Sequence, residues 1–307
     1  MKPSRVLISQ QIFLVMSFQR SFPFNLSQST IYNSQFTMTT ASQEPFLVIQ
    51  SPNRTPGSDI PIYFKDDWDT GIGGGLWSTG LAFAKYLTTH HAAQNLQQLA
   101  AGKEDQEGLS VLELGSGNSF LSVVFLGLTH QLEQLRATND PGPTILKDLV
   151  ITDLEDHLPL MKKILDANAH ITISEKARVR ILEHKWGEFL PPSGNQQELS
   201  LEAQVQQGSY KFDLIMGSDV AYHNDLHDIL IASLLQYSHA KTQILIGVTM
   251  LDTKARFFDK LHDAGFTYSK LADHLLEPNF WGRTFGIFIS SAFRDGNSIN
   301  RYSYCVM

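Results

Sequence analysis

The sequence predicts an α/β fold, a mostly parallel sheet with helices packed on both faces. Three observations lead there. Nearly continuous apolar runs recur at "LSVLEL" (109–114), "DLVITD" (148–153), "ARVRIL" (177–182), "FDLIMG" (212–217) and "QILIGVTM" (243–250). Runs of that kind mark strands buried on both sides, as in parallel sheets. Helical patterns lie between most of them. Finally, the first run ends in Glu113, followed by Gly115, Ser116 and Gly117. A buried strand reads this way when it turns into a loop that something approaches closely.

Along the chain, residues 1–45 read as a leader. The first 43 include Lys2, Arg5 and Arg20, no Asp or Glu, and many Ser and Gln. This composition is similar to a mitochondrial transit peptide, but is better read as a disordered extension, or as translation that begins at Met16 or Met38. A domain over 46–293 follows. It opens with a short polar segment to residue 70 that does not resemble a lid. "LWSTGLAFAKYL" (76–87) then places Leu76, Gly80, Phe83, Ala84 and Leu87 on one face of a helix. His90 and His91 fall at the end of a helix, where a positive charge suits the dipole. After the second strand, Leu158, Met161 and Leu165 form one apolar stripe; after the fourth, Leu226, Ile229, Leu230 and Leu234 form another. "ATNDPGPT" (137–144) and "PPSGNQQELSLEAQVQQGS" (191–209) read as surface insertions. "FTYSKL" and "TFGIFISSAF" read as a final strand pair, and 294–307 as a loose tail.

Composition narrows the function. The 307 residues carry a formal net charge of −7 and a pI of about 5.9, so there is no overall basic footprint for nucleic acid. The single cysteine, Cys305, excludes an internal disulfide framework and fits a reducing compartment. With two residues after it, it is not a prenylation box. No apolar run is long enough to span a membrane as a helix.

The glycine loop does not fit a nicotinamide fingerprint, because Phe120 stands where the third glycine belongs, and no phosphate-cradling G-x-x-x-x-G-K-[ST] is present. What remains is E-x-G-x-G. A carboxylate just before the turn repels a pyrophosphate and suits a cationic cofactor such as S-adenosylmethionine; a plain strand-to-helix turn is the bland alternative. Asp153 ends the next strand, where an acid can accept hydrogen bonds from both ribose hydroxyls, or simply cap a helix. "YHNDLHD" puts His223 and His227 at i and i+4 with Asp228. The glutamate of a metalloprotease sequence is missing and polar caps are expected there, so no metal is assigned.

"GGGLW" (73–77), "LELGSG" (112–117), "TDLEDHLPLMKKILDAN" (152–168), "KWG" (185–187) and "GSDVAY" (217–222) occur in this order. Over roughly residues 60–292 the chain thereby resembles the seven-β-strand protein lysine methyltransferases of the nicotinamide-N-methyltransferase-like group, methyltransferase family 16. The resemblance implies a Rossmann-like seven-stranded sheet, mostly parallel with the last strand antiparallel. It implies S-adenosylmethionine as cofactor, with Trp77 closing over its methionine end, Gly115, Ser116 and Gly117 allowing close backbone approach, and Glu113 fixing the loop or the ammonium. Asp153 would hold the ribose, Trp186 the adenine, and Ser218 would line the same pocket. The D-x-x-Y of Asp219 and Tyr222 would form the acceptor site. Two departures stand out: Ser119 where many relatives carry a third glycine, and His184-Lys185 where they often carry Leu-Asp. The activity implied is methylation of a lysine in a cytosolic protein, such as a translation elongation factor or chaperone, by a monomer without nucleic-acid or membrane partners. A small-molecule N-methyltransferase and a non-catalytic binding module are the alternatives.

Overall fold

The computed structural model describes residues 44–51, 58–103, 107–136, 144–171, 177–187, 211–250, 252–282 and 285–292. The leader up to residue 43, nearly all of the first insertion, the whole of the second and the tail lie outside them.

Strands β1 (Leu47–Ile49) and β2 (Ile60–Ile62) form an antiparallel pair with Ile49 opposite Ile60. Its inward residues Ile49, Ile60 and Ile62 are buried. The stretch that reads as a short polar segment therefore contributes Ile49, Ile60, Ile62 and Phe64 to the core. The signal was weak because each strand offers only three residues, too few for a period to show. Helices α1 (Ser78–Leu87) and α2 (His90–Ala101) follow. The first begins two residues later than its apolar pattern: Trp77 is its N-cap and Leu76 precedes it. His90 and His91 open α2 rather than close a helix, behind the N-cap Thr89, whose side chain accepts from Ala92 N–H. A positive charge is disfavoured there, and burial, with His274 adding to it, holds the His91 imidazole below its ordinary pKa.

From there strand and helix alternate: β3 (Leu109–Glu113), α3 (Phe120–Arg136), β4 (Leu146–Asp153), α4 (Leu158–Ala167), β5 (Arg178–Glu183), β6 (Phe212–Ser218), α5 (His227–Tyr237), β7 (Ser238–Thr249), α6 (Ala255–Asp263), β8 (Phe266–Lys270) and β9 (Phe285–Ala292). The sheet order is β5-β4-β3-β6-β7-β9-β8. The first five are parallel neighbours. β9 runs antiparallel to both β7 and β8. The order reverses direction between β3 and β6, so a crevice opens beyond the carboxyl ends of those two strands.

Successive strand residues feed opposite cores. Val111, Leu149, Ile151, Leu214 and Met216 join α1 to α4 and the β1–β2 pair on one face. Leu112, Val150, Ile215, Ile244 and Ile246 join α5 and α6 on the other. This two-sided burial is why the strands read as unbroken apolar runs. Both helix stripes are rotated from their sequence reading. In α4 the buried residues are Leu160, Met161 and Ile164, with Leu158 and Leu165 only partly covered. In α5, Leu230, Ile231 and Leu234 are buried while Ile229 is 40% exposed. A stripe one residue off keeps nearly the same spacing, so only the neighbouring sheet fixes its phase.

The β1–β2 pair should be indispensable. A side chain at Gly127 of α3 would collide with Ile49 and Ile62, so these groups pack closely. Ile62→Ala should lower unfolding free energy by about 2–5 kcal/mol. A chain starting at Met38 should melt with the full chain, and one starting at residue 65 well below it; thermal denaturation of the three proteins checks this.

Candidate active site

The loop after β3 is tied to the strands on both sides. Leu114 N–H donates to Met216 O (2.9 Å) and Ser116 N–H to Thr152 O (3.0 Å). Thr152 Oγ1 donates to Glu113 O (2.7 Å). Gly115 and Gly117 sit at φ 62° and 64°, the left-handed region that only glycine enters freely. Space demands glycine as well. A Cβ at Gly115 would lie 2.9 Å from both the Trp186 indole and Val220, and one at Gly117 would lie 2.6 Å from the Gly73 carbonyl oxygen. "GGGLW", "LELGSG" and "KWG" thus meet at one point. Ser119 takes up the same backbone conformation, φ 60°, so losing the third glycine leaves the loop left-handed. Such a residue costs about 1–2 kcal/mol, which its buried hydroxyl offsets by donating to Met161 O (3.0 Å).

Three acids crowd the crevice, each at or just beyond a strand end. Glu113 is buried and takes a hydrogen bond from the Ser122 hydroxyl. The Ser116 hydroxyl leans on the same carboxyl without completing one. Burial pushes Glu113 up to about 7; the two serines pull the other way, and the Asp153 charge adds to the rise. Asp153 Oδ2 accepts from Gly117 N–H (2.6 Å), and Oδ1 from Leu154 N–H (2.7 Å). The third acid, Asp219, follows β6 at φ 54°. This is strained for a non-glycine residue, and such strain gathers at functional sites. Its Oδ1 accepts from Thr249 Oγ1 (3.0 Å). Its Oδ2 is fully buried and accepts no hydrogen bond, although other parts of the residue reach the surface. Burial raises this carboxyl to about 6, against the pull of Thr79 and Thr249, with Asp252 pushing it further.

Aromatic side chains border the acids. Trp186, partly buried, is set by the turn after β5, where Ser233 Oγ accepts Gly187 N–H (2.8 Å) and meets His184 Nε2 (3.3 Å). The His184-Lys185 departure is resolved by burial. His184 faces inward against Tyr237, where burial lowers its pKa to about 4 and keeps it neutral, while Lys185 stays outside near Glu183. Trp77 donates from its indole to Ile72 O (3.0 Å) and meets Trp68 edge-on at 5.8 Å. Ser218 faces the first turn of α1 at Gly80. Tyr222 is 47% exposed; burial of part of the ring and the Asp153 charge both raise its pKa.

Two residues of this cluster escaped the sequence reading. Asn118 Nδ2 donates to Gly75 O (2.9 Å) while its Oδ1 accepts from Phe120 N–H (3.1 Å), joining the glycine loop to "GGGLW". An asparagine just before a helix was the available signal. His157 Nδ1 approaches Asp156 (2.9 Å) and Asp153 (3.4 Å), and its buried Nε2 lies where a Cβ on Gly73 would sit. His227, by contrast, is buried with Nε2 on Ala221 O (3.1 Å), and Asp228 pairs with Lys260 (2.7 Å). Among the described residues no group of three or more His, Cys, Asp or Glu is placed to hold a metal ion.

A family model described as lysine methyltransferase matches residues 57–264. The chain belongs to the lysine methyltransferase family. Every site residue assigned from the sequence, from Trp77 to Tyr222, falls within that match. Among known proteins it is similar to the protein N-lysine methyltransferase METTL21A of Danio rerio, 24% identical over 189 residues, covering 61% of this chain and 65% of that one. The match thus spans a little under two thirds of that relative's length. Among solved structures it is similar to a TehB-like SAM-dependent methyltransferase of Corynebacterium glutamicum (15% identity, 66% of this chain and 96% of that one, TM-score 0.36). Aeropyrum pernix fibrillarin with natively bound S-adenosyl-L-methionine is a further remote likeness (11% identity, 68% and 76%, TM-score 0.37).

The raised pKa of Glu113 has a measurable sign. A buried acid that resists ionisation destabilises the fold as pH climbs from its ordinary 4.5 to about 7. Glu113→Gln should remove that decline, worth roughly 3 kcal/mol at most, while leaving the contribution of Asp219 in place. The difference in melting temperature between variant and wild type, measured without ligand, should therefore grow in favour of the variant from pH 5 to pH 8.

Proposed function

We propose that this chain transfers the methyl group of S-adenosylmethionine to the side-chain amine of a lysine in a protein. Asp219 carries the reading. It lies beyond β6 beside the β3/β6 crevice, strained, with one oxygen fixed and the other buried without a partner. A carboxylate in that state suits a cationic donor such as a lysine ammonium. Membership of the lysine methyltransferase family supports the same chemistry.

The donor supplies a methyl already activated on a positively charged sulfur; the chain binds, orients and excludes water. Asp153 has both oxygens fixed by backbone amides and would accept further bonds from the ribose hydroxyls. The residues present fit the donor's charge: Glu113 is costly to ionise where it is buried, and a cation nearby lowers that cost. Trp186 would flank the adenine, Trp77 would close over the methionine end, and Ser218 would line the pocket between them. The glycine loop, with Ser116 at its centre, allows close approach. At the acceptor end Asp219, ionised above about pH 6, would draw in the lysine and orient it. Only the neutral amine attacks, so its proton must leave to water or to Asp219, and burial of the amine favours that loss. Tyr222 would wall the channel and offer its ring to the cation.

A protein acceptor fits the mouth of the site better than a small molecule, because Trp68, Ile72 and Tyr222 stand exposed around it. The reading extends to a cytosolic acceptor, such as an elongation factor or chaperone, and to a monomer; the single cysteine fits a reducing compartment. The acidic net charge supports a protein rather than a nucleic acid partner.

Labelled S-adenosylmethionine and an extract from cells lacking this protein should yield a labelled band in which the label sits on a lysine; label on nucleic acid or small molecules alone would overturn the reading. Two variants separate the halves of the site. Asp153→Ala should weaken S-adenosylhomocysteine binding by about 1–3 kcal/mol in calorimetry. Asp219→Ala should cut turnover by about 10²-fold or more while that affinity changes little. Equal loss of both in Asp219→Ala would move Asp219 into the cofactor pocket.

A further inference from the structure

The groups around Asp219 decide which of its oxygens is available. Thr249, the last residue of β7, has its Oγ1 3.0 Å from Asp219 Oδ1. An ionised carboxylate has no proton to give, so Thr249 donates its own. The Thr249 oxygen is then left to accept, and Thr79 Oγ1 lies 3.0 Å from it. The direction of donation is thereby set along the chain, from Thr79 to Thr249 to Asp219. Thr79 is fully buried in the first turn of α1, two residues after the Trp77 cap. Its methyl group occupies the space left by Gly247: a Cβ on Gly247 would lie 2.6 Å from Thr79 Cγ2. The Gly247 carbonyl also accepts Asp219 N–H (2.9 Å). β7 therefore holds the strained backbone of Asp219 with one residue and its side chain with another, and makes room for the hydroxyl that completes the row. Asp219 Oδ2 is buried and completes no hydrogen bond, with the Thr79 hydroxyl and the Gly80 amide of α1 beside the carboxyl.

We propose that Thr79 and Thr249 are positioning residues for methyl transfer: a row of hydroxyls anchored on α1 fixes Asp219 Oδ1 and leaves Oδ2 as the oxygen that takes the ammonium of the acceptor lysine. This rests on the transfer of a methyl group to lysine argued above and adds the means of orientation. The row gives all its hydrogens toward Asp219, so Oδ2 is matched to a donor, and a cationic donor best. It also ties the helix that begins at Trp77 to the acceptor carboxylate, so the two ends of the reaction share one support. The charged group that acts on Asp219 from outside the row is Asp252, beyond β7; α1 meets it with the Thr79 hydroxyl and the Gly80 amide, and β7 with Thr249.

Thr249→Val keeps the side-chain shape and removes the donor; Thr249→Ser restores it. In wild type, with the lysine proton released to water before attack and Asp219 left ionised, the logarithm of the transfer rate at low acceptor concentration should climb with pH at unit slope. Below the pKa of Asp219 the slope should steepen to two. In Thr249→Val that bend should move up by about one pH unit, and turnover at pH 7.5 should fall about tenfold. S-adenosylhomocysteine affinity should stay within about twofold, and Thr249→Ser should recover both bend and rate. Thr79→Val should shift the bend in the same direction. A lower rate with an unmoved bend, no rescue by serine, or a parallel loss of cofactor affinity would overturn the proposal. Titration of the Asp219 carboxyl by carbon-13 NMR in the ligand-free protein reads the row without any turnover: its pKa should rise in Thr249→Val, and an unchanged value would overturn the proposal. If wild type transfers no methyl to any lysine, the parent reading fails, and the titration still decides whether the hydroxyl row governs Asp219.

Discussion

The hydrogen bond from Gly117 N–H to Asp153 Oδ2 is the constraint on which the rest of the site depends. It joins the loop after β3 to the end of β4. It can form only because Gly115 and Gly117 both take left-handed backbone conformations. Those two turns aim the loop's amides across the strand ends instead of along β3. They also leave the loop bare of side chains, so that the Trp186 indole can come against Gly115 and the Gly73 backbone against Gly117. A methyl group at either glycine would push these segments apart.

The same arrangement accounts for the electrostatics. Parallel strands end together, so the last residues of β3 and β4 and the first after β6 bring Glu113, Asp153 and Asp219 to one edge of the sheet. Two of the three are pushed toward neutrality by burial, Glu113 to about 7 and Asp219 to about 6. A fold gains nothing in stability from buried acids of this sort. Their presence is understandable if positive charge arrives at both places, a sulfonium and ammonium at one and a lysine at the other. The hydroxyls that meet these carboxyls, Ser122 at Glu113 and Thr249 at Asp219, moderate the burial cost without removing the charge.

The periphery is as specific as the centre. β1 and β2 cover α3 where Gly127 leaves room for Ile49 and Ile62. Asn118 and His157 connect the "GGGLW" segment to the glycine loop and to the turn after β4. The helix capped by Trp77 is tied to the end of β7 through Thr79 and Thr249. The N-terminal part of the domain is therefore one wall of the crevice, and changes there reach the reacting groups through short, direct contacts.

The sequence by itself determined the alternation of strands and helices, the two-sided burial of the sheet, the glycine loop and the acids at the strand ends. Each is written in local order: an apolar run, a period, a turn residue at a fixed offset. The last residue of a buried strand is named by where the run stops, which is why Glu113 and Asp153 were legible. Only the tertiary structure decided the phase of α4 and α5, the burial of the β1–β2 pair, the inward turn of His184 and the roles of Asn118, His157, Thr79 and Thr249. A stripe shifted by one residue keeps its spacing, and a three-residue strand has no period to read. A threonine at a strand end looks the same whether it faces water or an aspartate from another strand. Partners such as Thr79 and Thr249 are 170 residues apart; nothing local encodes their meeting, and the sheet order that brings them together does.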